Sequence, residues 1–129
     1  VPASTIRDLS RQWSNHLASY RRHRNDEHRE ALVEEAARFT GFHLEDDLNR
    51  SEYWAKAPLA RRVAVLLYLV DQGIVVRTQC EGNRLFEPVD DAESRASAQP
   101  SHLPYMAPIL EMIEALRRDR ARRERTTSC

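Results

Sequence analysis

The run from Leu59 to Val70 constrains the fold more than any other part of the chain. Leu59, Val63, Leu66, Leu67, Leu69 and Val70 leave only a narrow polar stripe, so residues 58–72 are expected to form a helix that is mostly buried. Pro58 suits a first-turn position, and Asp71-Gln72-Gly73 supplies a stop with Gly73 as the left-handed cap. The longest apolar stretch, Val63 to Val76, is broken by those three residues, so nothing reaches the roughly 20 apolar residues that cross a bilayer.

Two extended segments follow. Ile74 to Gln79 and Arg84 to Val89 read as a β-hairpin with Gly82-Asn83 as its loop. That loop pairs Cys80 with Leu85 and Val76 with Val89, which puts Val76, Cys80, Leu85 and Val89 on one buried face. Pro88 then calls for a strand end or an edge.

Helices are expected on both sides. Residues 5–24 place Ile6, Leu9, Trp13, Leu17 and Tyr20 on one stripe. Residues 27–40 have Leu32, Val33, Ala36 and Phe39 as their apolar face, Glu34 and Arg38 as an i,i+4 pair, and Gly41 as the expected cap. Phe42, Leu44 and Leu48 suggest one more helical turn, with Glu45-Asp46-Asp47 as its start or as a solvated turn. Residues 90–104 have almost no apolar periodicity and read as a linker. Residues 105–125 show the stripe Met106, Ile109, Leu110, Ile113, Leu116, beyond which a basic tail begins. The expected architecture is a single domain over 1–129, mainly α with one small β-hairpin. Its core is 27–89, with flanking N- and C-terminal helices.

The order of helix, Asp-Gln-Gly-Ile-Val-Val-Arg, a turn with Gly-Asn-Arg, then Leu-Phe-Glu-Pro resembles the end of a winged-helix domain. The resemblance covers residues 59–89, with the helices of 27–57 as its earlier elements. It implies a winged-helix-like core. In the DNA-binding members of that family, the helix before the wing inserts its N-terminal half into the major groove. Here that half offers Arg61 and Arg62, with Lys56 just before it, and the wing offers Arg77 and Arg84 offset by Glu81 and Glu87. No Ser, Thr, Asn or Gln lies between residues 55 and 71, which makes it a poor reader of base edges.

Charge sharpens the choice. The chain has 20 Lys+Arg and 20 Asp+Glu, a formal net charge of zero, which argues against a nucleic-acid coat protein. The zero is a sum of blocks: +4 over residues 1–25, −6 over 26–52, +2 over 53–76, −3 over 77–93, −1 over 94–116 and +4 over 117–129. An acidic middle between basic ends favours charge-complementary packing within or between chains. The basic clusters, Arg21, Arg22 and Arg24 in one and Arg117, Arg118, Arg120, Arg122 and Arg123 in the other, are the candidates for contact with nucleic acid or an acidic partner. Both also lie where they would complement a helix C-terminus.

No catalytic or metal site is expected, and no cofactor. His16, His23, His28, His43 and His102 form no H-x-x-x-H pattern, and no CxxC occurs. Cys80 reads as a small buried hydrophobe, and Cys80 and Cys129 read as free thiols, which suggests a reducing, cytoplasmic compartment. Val1 is not a start methionine, which reads as a processed or excised piece of a longer protein. The sequence therefore points to a non-enzymatic protein-interaction or assembly module, binding a protein partner or self-associating through Trp13, Ile109, Ile113 and Leu116. The alternative is a DNA-binding transcription-regulator-type protein.

Overall fold

The apolar run of residues 59–70 is helical in the computed structural model, which describes residues 27–126. In chain order the elements are α1 (Glu27–Phe42), α2 (Glu45–Asn49), α3 (Leu59–Asp71), β1 (Val75–Cys80), β2 (Asn83–Pro88), α4 (Ala92–Ser97), a 3-10 segment (Pro100–Tyr105) and α5 (Met106–Thr126). The protein is thus helix-rich with one antiparallel hairpin. The expected helix over 5–24, with Trp13, Arg21, Arg22 and Arg24, lies outside the described residues.

Helix α3 is set at both ends by its sequence. Pro58 is its N-cap at φ −67°, an angle its ring enforces. At the other end Gly73 takes φ +74°. The Gly73 N–H donates to the Val70 carbonyl and the Ile74 N–H to the Leu69 carbonyl, the paired bonds of a Schellman cap. Between these ends Val63 to Leu67 and Leu69 are buried in one cluster with Leu32, Ala36 and Phe39 of α1, Val75, Leu85 and Phe86 of the hairpin, and Ile109, Met112, Ile113 and Leu116 of α5. Helix α1 continues through Gly41 to Phe42, so Gly41 is not its cap.

The hairpin is present, in a different register from the one expected. Val75 faces Pro88, Arg77 faces Phe86, Gln79 faces Arg84 and Cys80 faces Asn83. The loop is Glu81-Gly82, at φ +51° and +84°. Two consecutive positive φ values make a type I′ turn, whose twist matches the strands it joins. The shift buries Val75, Phe86 and Pro88 and leaves Val76 exposed. Its physical reason is Phe86. In this register the ring meets Phe39 with centroids 5.2 Å apart, burying more apolar area than a face built on Val76 and Cys80 could. Cys80 is not a free thiol either. Among the described residues no cysteine is free, and Cys80 is disulfide-bonded, so a reduced Cys80 no longer argues for a reducing compartment. Cys129 lies outside the described residues.

Residues 90–104 are not an unstructured linker. Ala92 and Ala96, four apart, bury their small faces, while Asp91 and Arg95 pair at 2.9 Å on the outside. Buried His102 then pins the segment to α3. Its Nδ1 lies 3.1 Å from the Ala96 carbonyl oxygen and its Nε2 lies 2.6 Å from the Tyr68 hydroxyl. A carbonyl only accepts, so Nδ1 carries a proton, and in the neutral ring Nε2 accepts from Tyr68. Burial, with Asp71 and Tyr105 adding to it, pushes the Tyr68 hydroxyl up, which keeps it a donor.

The turn between α2 and α3 is built around Trp54 and Arg62. Ser51 Oγ accepts from the Tyr53 and Trp54 N–H groups. The Trp54 indole N–H donates to the Pro108 carbonyl at 2.8 Å. The Arg62 guanidinium points back into this turn, donating to the carbonyls of Ala57 and Trp54 and to Asn49 Oδ1. Burial works against its charge, and Glu45 partly offsets that. Among the described residues no helix is long and apolar enough to cross a membrane.

Candidate functional site

The C-terminal end of α1 meets the hairpin tip, and the aromatic residues there divide between inside and outside. Phe39 is buried, and the His43 ring stacks on it at 4.9 Å and 23°. Phe42 turns outward and is 84% exposed, touching His43 edge-on at 5.3 Å. It stands on the ridge between two clefts.

The larger cleft, about 690 Å³, lies between α1 and the hairpin tip and is lined chiefly by Glu35, Arg38, Phe42, His43, Gln79 and Arg84. Glu35 forms an ion pair with Arg77 and lies 3.7 Å from Arg84. Arg38 lies one helical turn before Phe42, on the same face. Among the described residues it makes no ion pair, with Glu34 or any other carboxylate.

The smaller cleft, about 300 Å³, lies across the ridge and is lined by Phe42, His43, Asp46, Asp47, Arg50, Asp119 and Arg122. Asp47 and Asp119 are buried in its floor. Arg122 spans them, at 2.7 Å from Asp47 and 3.4 Å from Asp119, and also donates to the His43 carbonyl. Arg123 donates to Asp119 at 2.8 Å and reaches Glu87 at 3.3 Å. His43 Nδ1 lies 3.3 Å from Asp119. Burial alone would raise the Asp119 carboxyl, but the hydrogen bonds from His43 and Arg123 outweigh it and hold the group below its ordinary range. Asp47, foremost, strengthens the hold of Arg122 on its proton.

An imidazole against a buried carboxylate has the form of a base and its orienting group. Here, however, the carboxylate is already bound by two guanidiniums. The residues lining the two clefts include no Ser, Thr or Cys, and among the described residues no cluster of His, Cys, Asp and Glu is placed to hold a metal. What the larger cleft presents is an exposed ring, nearby cations, and two side-chain amides, Gln79 and Asn83.

The described residues singled out from sequence fall into four groups. Ile109, Ile113 and Leu116, expected at an interface, are fully buried core residues, because α5 packs across β2, α2 and α4. Arg62 is buried as described, and Arg61 is half-buried at the start of α3. Arg77 and Arg84 lie by Glu35. Five of the six arginines of α5 are engaged in ion pairs: Arg117 with Glu93, Arg118 with Glu114, Arg120 with Glu124 and Glu87, and Arg122 and Arg123 as above. The residues that sequence reasoning missed are Arg38, Phe42 and His43. Their signal was present: Leu32, Ala36, Phe39 and His43 follow one helical stripe, and Phe42 falls one step off it. No protein-family model matches the chain, and no curated protein or solved structure matches it either.

Proposed function

We propose that the chain is a non-enzymatic protein-interaction or assembly module with a winged-helix-like core. The order α1, α2, α3, glycine cap and two-stranded wing supports that core. The observation that carries the functional reading is the internal pairing of the arginines on which DNA binding would depend. Arg62 faces the 49–57 turn, and Arg117, Arg118, Arg120, Arg122 and Arg123 each meet a carboxylate of this chain. The first half of α3 is mostly apolar and buried, so it has little to offer to a major groove. Exposed Phe42, in contrast, lies beside a cleft.

Duplex DNA binding measured across salt, beside sedimentation velocity over a protein concentration series, tests the reading. The expected result is weak duplex binding with a shallow salt response, since among the described residues Arg62 and five arginines of α5 are already engaged within the chain. Steep salt-dependent binding that Arg61→Ala with Arg84→Ala removes would instead establish the DNA-binding transcription-regulator reading.

A further inference from the structure

The surplus positive charge and the exposed apolar surface meet at the end of α1. Of the large apolar side chains exposed among the described residues, Phe42 is the most open, and Leu59 is half exposed nearby. Leu59 lies over Gly41, where an added Cβ would come 3.8 Å from its Cδ1, so the two apolar groups flank one backbone segment. Among the residues that line the adjoining cleft, Arg38 and Arg84 stand against one carboxylate, Glu35. In α5, by contrast, Arg117, Arg118, Arg120, Arg122 and Arg123 each meet an acid.

We propose that this cleft is a docking site for an acidic peptide segment of a partner protein, with an apolar anchor residue packed on Phe42. The proposal rests on the interaction reading above. Charge complementarity sets the occupant. Arg38 and Arg84 face peptide carboxylates, Gln79 and Asn83 provide amide partners for peptide backbone, and Phe42 supplies the apolar contact that gives such sites much of their affinity. A nucleic-acid strand fits less well. Across Phe42 the smaller cleft presents exposed Asp46 above the buried Asp47 and Asp119, so a phosphodiester chain would meet a carboxylate soon after leaving Arg38 and Arg84. A short acidic motif needs no longer track.

The test selects short random peptides displayed on phage against the whole chain, then maps the enriched peptides by amide chemical shifts and measures their affinity. Enriched sequences should combine Asp or Glu with Phe, Leu or Trp and should perturb the α1 end and the hairpin tip. Phe42→Ala, and separately Arg38→Glu with Arg84→Glu, should each weaken binding roughly tenfold or more, while Lys56→Glu leaves it unchanged. Thermal unfolding of each variant checks that the fold is intact. Acidic peptides that bind elsewhere, indifferent to Phe42→Ala, would overturn the site and leave the interaction reading standing. Self-association abolished by Phe42→Ala would replace the peptide with a second copy of this chain, again leaving that reading. Enrichment of nothing, with polyuridine bound at the cleft, would overturn both.

Discussion

Trp54→Ala should lower the unfolding free energy by about 3–5 kcal/mol, the usual cost of truncating a buried tryptophan. Against the roughly 5–15 kcal/mol that holds a domain of this size together, that leaves little margin. The indole is fully buried in a stretch with no regular helix, so its packing does much to fix the 51–57 turn. Three kinds of contact meet on this residue. Its indole N–H bonds the Pro108 carbonyl of α5, its backbone N–H is held by Ser51, and its carbonyl accepts from Arg62. Alanine keeps the backbone bonds in principle, but leaves a cavity between the turn and α5. Trp54→Phe should cost about 1–2 kcal/mol, the bond to Pro108 and part of the ring area. Urea denaturation followed by circular dichroism reads both. A Trp54→Ala protein within about 1 kcal/mol of the parent would mean that the turn is held by Arg62 without the indole.

Apolar periodicity carried the helices because burial repeats with the helical turn. Leu59–Val70 and Met106–Leu116 declare their inner faces without any knowledge of what packs on them. The hairpin was locatable for the same reason but its register was not. Gly82 can serve a turn beginning at either Glu81 or Gly82. The choice depends on whether Phe86 reaches Phe39, 47 positions away in the chain. The 90–104 segment escaped because its burial is small and polar. Ala92 and Ala96 add little hydrophobicity to a window, and His102 looks like a surface residue until Tyr68 and Ala96 satisfy both its nitrogens.

The site was less legible, and electrostatics explain why. Counting Arg117 to Arg125 as a basic tail treats the helix as if it stood alone. Its partners Asp47, Glu87 and Glu93 come from the two acidic blocks, and nothing local pairs them. The block pattern foretold that basic and acidic segments would meet, but not where. Nor does the stripe of α5 end at Leu116. It continues one turn further as buried Asp119, a carboxylate in a position that an apolar pattern cannot flag.

Asp119→Asn should cost about 2–4 kcal/mol at neutral pH, since removing one member of a buried ion-pair network leaves its partners uncompensated. Arg122 and Arg123 lose their shared acceptor charge, and an amide N–H is placed against one of them. The effect should depend on pH with a defined sign. The folded-state Asp119 carboxyl is held below its ordinary value, net of burial, by His43 and Arg123, whereas in the unfolded chain it titrates near about 3.9. A carboxylate depressed on folding contributes stability that is fully present above the unfolded pKa and is lost as the pH falls through the folded one. The parent should therefore lose stability on acidification below about pH 4, and the gap between parent and Asp119→Asn should narrow as it does. Urea midpoints of both proteins, taken from neutral pH down to about pH 3, measure this. A gap that stays constant across that range would mean that Asp119 matters through its shape and hydrogen bonds, and that its charge does not tie α5 to the end of α1.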